Sequence, residues 1–130
     1  MSNDFIRVES SLSVEQAVAK VQEASKAGGF GVLNTLNLQQ IMAGKGVEYA
    51  EAATVVEICR PGDAKLFLEA DPRVAPCLPC RIAVTSKDGK TFVHTVRPSS
   101  MMRMFENDAL IAPAKLIDEA VNKIVEAAAA

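Results

Sequence analysis

Arg81-Ile82-Ala83-Val84-Thr85-Ser86-Lys87-Asp88-Gly89-Lys90-Thr91-Phe92-Val93-His94-Thr95-Val96 is the stretch from which the fold is read. Two β-prone runs flank Asp88-Gly89, and Asp and Gly tolerate the positive φ angles of a tight two-residue hairpin turn. The turn also sets register. Lys87 falls opposite Lys90, so Ala83 falls opposite His94 and Cys80 opposite Arg97. Because side chains alternate across a strand, Cys80, Ile82 and Val84 share one face of the sheet and His94 belongs to the other.

Upstream of the hairpin, Thr54 to Cys59 is the most β-prone run, and Pro61 stops it. Asp63 to Ala70 reads as a short helix, and Pro72, Pro76 and Pro79 make the following stretch a loop. Nearer the start, Phe5 to Glu9 alternates as a strand. Ser13 and Gln16 form a capping-box pattern ahead of Val14, Ala17, Val18, Val21 and Ala24, an amphipathic helix stopped by Gly28 and Gly29. Phe30 to Leu36 reads as a second strand, and Asn37 as the cap of a short helix through Leu38, Ile41 and Met42. Downstream, Ala114 to Ala128 places Leu116, Ile117, Ala120, Val121, Ile124 and Val125 along one helical face. The expectation is an α+β domain of order β-α-β-β-β-β-α, with one mixed or antiparallel sheet covered by helices.

The chain length, 130 residues, suits one domain spanning 1–130, ending in the helix at about 114–128. Fourteen Lys and Arg against sixteen Asp and Glu give a net charge of −2, with no basic excess to neutralise a phosphate backbone, so nucleic acid is not an expected partner. No stretch reaches the roughly 20 apolar residues of a membrane span. Met1-Ser2-Asn3-Asp4 lacks the basic start and apolar run of a secretion signal, so a cytoplasmic setting is expected. Three cysteines cannot all pair within one chain, which also fits a reducing compartment.

Gly29-Phe30-Gly31-Val32, Lys45-Gly46-Val47-Glu48 and Val56-Glu57-Ile58-Cys59-Arg60-Pro61 follow one another in order. Glu69-Ala70-Asp71-Pro72 and Leu78-Pro79-Cys80-Arg81-Ile82-Ala83-Val84 complete the series. Together they resemble the bacterial and archaeal domain of unknown function 302 family, over roughly residues 5 to 106. The resemblance implies a fold of the broad TATA-binding-protein-like class and a homodimer. It implies no particular chemistry, and the fold name carries no implication of DNA binding. Arg60 stands where the family more often has Asn, and Cys77 is an addition beside the Leu-Pro-Cys segment.

Cys77-Leu78-Pro79-Cys80 is the motif with chemical potential. Such a pair can close a small disulfide ring, and a thiolate there can exchange with another disulfide. That supports an alternative reading as a thiol-dependent redox or sulfur-carrier protein, with Cys80 as nucleophile and Cys77 or Cys59 resolving. Against it, a strand rather than a helix follows the motif, so the dipole that stabilises a thiolate is missing from this source. Cys80 also shares parity with apolar Ile82 and Val84, and free cysteines often serve as small buried hydrophobes. A four-ligand metal site of Cys59, Cys77, Cys80 and His94 fails on register, because Cys80 and His94 take opposite faces.

The remaining candidates carry ordinary structural readings. Met101, Met102 and Met104 fit an adaptable core or dimer contact rather than a soft-metal cluster. Arg7, Arg60, Arg81, Arg97 and Arg103 could converge on an anion, with Arg81 and Arg97 near one end of the hairpin. Gly28, Gly29 and Gly31 follow a helix and precede a strand, the reverse of a phosphate loop. Ser99 and Ser100 have no His-Asp pattern nearby, and Glu48, Glu51, Glu57 and Glu69 show no readable pairing. No catalytic constellation, metal or cofactor is expected. The reading is a small ligand- or partner-binding protein, its ligand a small anion or sulfur compound held near Cys59, Arg60, Cys80 and Arg81.

Overall fold

In the computed structural model, which describes residues 3–129, the local signals at the start of the chain form as the sequence dictates. Strand β1 (Phe5–Ser10) leads to the capping box, in which Ser13 Oγ accepts from Gln16 N and Gln16 Oε1 accepts from Ser13 N. Helix α1 (Val14–Ala27) follows and ends at Gly28. Gly29, at φ +84°, turns the chain into β2 (Gly31–Asn37). Asn37 caps the short α2 (Leu38–Ala43) by accepting from Gln40 N. β3 (Ala53–Cys59) runs directly into α3 (Pro61–Ala70), whose proline sits in the first turn where its missing amide costs nothing.

The hairpin is β4 (Cys80–Lys87) and β5 (Lys90–Val96), with Asp88 and Gly89 at φ 50° and 80° in the turn. Lys87 pairs with Lys90 and Ala83 with His94, the register read from the turn alone. The expected opposition of Cys80 and Arg97 does not form as a ladder pair. Cys80 instead opposes Ile58 on its other side, because β5 ends at Val96 before the chain enters α4 (Pro98–Met102). α5 (Ile111–Ala127) closes the chain, starting earlier than the periodicity suggested because Pro113 is tolerated in a first turn. The proline-rich stretch expected as a loop is a 3₁₀ helix over Pro72–Cys77.

The sheet is antiparallel throughout, in the order β1-β5-β4-β3-β2. Its architecture is α+β. One face is apolar and buried, with Val56, Ile58, Ile82, Val84 and Val93 meeting Ala17 and Val21 of α1 and Ile117, Val121 and Val125 of α5. The end of α5 is tied back to β1, where Ser10 Oγ donates to Ala128 O and Ser11 N to Ala129 O. The opposite face carries Arg7, Phe92, His94, Arg81 and Glu57. Among the described residues, no helix is long and apolar enough to cross a membrane.

Candidate functional site

Cys59 closes β3 and Cys80 opens β4, so the antiparallel register brings the two thiol-bearing residues to the same end of the sheet. With Phe30, Arg60, Asp63 and Phe67 they line a cavity of only about 20 Å³. That is room for one water, not for an organic ligand. Burial, together with the neighbouring Cys59 and Asp63, pushes the Cys80 thiol up to about 11, against the opposing pull of Arg60 and Arg81. Cys80 therefore carries its proton at neutral pH. Cys77, in the 3₁₀ helix, packs against the core and does not line this cavity, and all three cysteines are free.

Sequence reading found no helix start beside the thiols. The structure supplies one, since α3 begins two residues after Cys59, but Asp63 in its first turn already places a carboxylate at that positive end. Arg60 is also committed. Its Nε donates to Asp63, its Nη1 donates to Gly28 O at 3.1 Å, and its guanidinium stacks 4.6 Å from the Phe30 ring centroid. The residue thus clamps α3 to the end of α1. Arg81 does not join this group, because its Nε donates at 2.9 Å to Glu57 beside it on the exposed side of the sheet. Of the four residues expected to hold a ligand, three meet and one does not.

His94 lies on the sheet face away from Cys80, as parity required. Its Nε2 is 3.0 Å from Thr85 Oγ1, and burial together with the Arg7 charge lowers its pKa. Arg7 itself sits 4.0 Å over the Phe92 ring. Among the described residues, no three or more His, Cys, Asp or Glu side chains converge as a metal site would require. The methionines also part company, Met102 being buried and Met104 exposed.

A much larger cleft, about 700 Å³, opens between α4, the 3₁₀ turns after it and the start of α5. Arg97, Arg103 and Lys115 bring positive charge to it and Glu106, Asp108 and Asp118 negative charge, while Met102, Leu110 and Ile111 give it an apolar floor. Arg97 Nε donates to Asn3 O at 2.7 Å and Arg103 pairs with Asp4, so both guanidinium groups are oriented. Ser99 donates from N and Oγ to Asp118, which pins the start of α4 to α5. Arg97 and Arg103 belonged to the arginine set singled out by sequence, but Arg97 converges with Arg103 rather than with Arg81. Lys115 and Asp118 gave no signal beyond their place in the last helix.

One cleft wall is anchored by a residue that sequence reasoning missed. Asp71 is buried and accepts from Arg73 N at 3.0 Å, from Arg73 Nη2 at 2.7 Å and from Asn107 Nδ2 at 3.3 Å. Arg73 Nη2 donates on to Phe105 O at 3.0 Å. Asp71 therefore joins the end of α3, the 3₁₀ helix and the Phe105–Asn107 turn. The Arg73 guanidinium holds its carboxyl well below the usual carboxylate range. The available signal was Asp71-Pro72, an Asp ahead of a helix-starting proline.

The sequence pattern described as "Domain of unknown function DUF302" matches residues 6–129. The crystal structure of an uncharacterized conserved DUF302 protein from Bacillus stearothermophilus superposes with a TM-score of 0.93 at 23% identity, covering 98% of this chain and 99% of that one. That likeness is one of fold. No curated protein matches the chain.

Proposed function

Because the chain belongs to the DUF302 family, a grouping that carries no assigned activity, we propose from its geometry that it is a small ligand-binding protein, homodimeric as the family resemblance implies. The observation that carries this reading is the contrast in room: about 20 Å³ at the thiols and about 700 Å³ at the cleft beside α4 and α5. The second figure falls within the range of small-molecule sites. Three cations and three carboxylates line the cleft above its apolar floor; with Asp118 bonded to Ser99, the oriented Arg97 and Arg103 are the groups that suit a small anion with a short apolar tail. Arg97 and Arg103 would engage the anionic head, and Met102, Leu110 and Ile111 the tail. Sequence reading put the ligand near Cys59, Arg60, Cys80 and Arg81, but the small space there favours the cleft. A protonated Cys80 lends the thiol-redox alternative no support. A cytoplasmic setting suits three free thiols.

Backbone-amide NMR titration with octanoate tests the placement. Shifts concentrated at Arg97, Met102, Arg103 and Lys115, and weakened in Arg103→Ala, are expected. Shifts confined to Cys59 and Cys80, or none at millimolar octanoate, would overturn it.

A further inference from the structure

Two arginine–carboxylate pairs of different kinds border the cleft beside α4 and α5. In the first, Asp71 is 6% exposed and accepts from both Arg73 and Asn107, a carboxylate shut away from solvent. The second involves Asn3 and Asp4, the residues just ahead of β1, of which Asn3 lines the cleft. Asp4 O accepts from Arg97 N at 2.6 Å, one step beyond the Phe5–Val96 pair, so the β1–β5 ladder carries these two residues to the start of α4. There Asn3 meets Arg97 twice, its carbonyl oxygen accepting from Nε at 2.7 Å and its Oδ1 from Nη2 at 3.3 Å. The Asp4 carboxylate pairs with Arg103.

Oxygens of the chain itself thus sit on the two guanidinium groups that suit a ligand's anionic head. At Arg103 the occupant is itself an anion. The Arg103 and Asp4 side chains are 69% and 43% exposed, so water screens their attraction. A pair of this kind shifts an equilibrium by no more than about fivefold, which leaves it open to displacement in a way that buried Asp71 is not. Two carboxylates at one guanidinium also repel each other. The ladder bond keeps Asp4 tethered beside Arg103, so its effective concentration there stays high.

We propose that Asp4 is an internal counter-anion of the cleft, whose carboxylate competes with the anionic head of the ligand for Arg103. This rests on the ligand-binding reading above and adds the group that opposes binding. Ligand entry displaces the Asp4 side chain, while the wall anchored by Asp71 stays in place.

Octanoate affinities from backbone-amide NMR titration test it in the parent, Asp4→Asn, Arg103→Ala, the double variant and Glu9→Gln, and the same spectra report that each variant is folded. Asp4→Asn keeps the size of the side chain and removes its charge. Glu9→Gln makes the same change in net charge at the far end of β1, where Glu9 pairs with Lys90. Asp4→Asn should bind octanoate about three- to fivefold more tightly than the parent. Glu9→Gln should match the parent, and Asp4→Asn should bring no gain in the Arg103→Ala background. If the parent binds and Asp4→Asn leaves affinity unchanged or lower, the competition is overturned while the ligand reading stands. An equal gain in Glu9→Gln, or a gain that persists without Arg103, overturns it in the same way. No octanoate binding by the parent or any variant would overturn both.

Discussion

Cys80 shows how a single side chain separates what a motif suggests from what its surroundings permit. Its apolar parity was legible from the hairpin turn alone, because alternation is a strictly local property. Its acidity was not, since the burial that raises it most, and the neighbouring Cys59 and Asp63, come only with the pairing of β3 with β4 and the packing of α3. Raising the thiol from 9.0 to about 11 leaves roughly a hundredfold less thiolate at neutral pH. Alkylation of native protein with iodoacetamide at pH 7.5, followed by mass spectrometry, should therefore label Cys80 about a hundredfold more slowly than in urea. Rapid native labelling of Cys80 would reverse this account of the site. Arg60 makes a second test at this scale. Arg60→Asn removes the donor to Gly28 O and the stack on Phe30, costing about 1–2 kcal/mol in urea titrations, yet leaves octanoate binding in the cleft unchanged.

Among the elements, those whose signals are short in sequence were the readable ones. The capping box, the glycines after α1, the Asn37 cap and the Asp88-Gly89 turn each involve residues within four positions of one another, and each forms where expected. Ser13→Ala should accordingly cost about 1 kcal/mol, seen as a lower urea midpoint with an unchanged m-value. Elements defined by partners far along the chain were not readable. α4 has five residues, too few for a periodic pattern, and depends on Asp118 of α5 to receive Ser99. The proline-rich segment becomes a 3₁₀ helix because Asp71 accepts from Arg73 N, and Asp71 is itself held by Asn107, 36 positions later. The cleft lies between such elements, so its two arginines were visible as residues while the space between them was not.

At the scale of the molecule these separate commitments set how stability responds to pH. His94 has a pKa below 6.5 in the folded protein, so the unfolded chain takes up its proton first. Stability contributed by neutral His94 is full above pH 6.5 and falls as pH drops from there toward the folded value. Asp71 acts lower in the same direction. Its carboxylate is held ionised by Arg73 and Asn107, whereas in the unfolded chain it protonates near about pH 4. The stability it adds is full above that pH and is lost as pH falls through the folded value. Glu51, lowered by Ser86 and Asp88, adds to this second window. Urea midpoints measured from pH 8 to pH 3 should thus decline in two stages, one beginning near 6.5 and one near 4. His94→Gln should flatten the first stage alone. Asp71→Asn should lower the midpoint at pH 7 and flatten the second, so that the variant and parent converge in acid. Because Asp71 joins α3 to the turn that walls the cleft, octanoate affinity should also weaken in Asp71→Asn at pH 7 and not in His94→Gln. Equal losses of affinity in both variants would mean that the cleft senses overall stability rather than this one buried carboxylate.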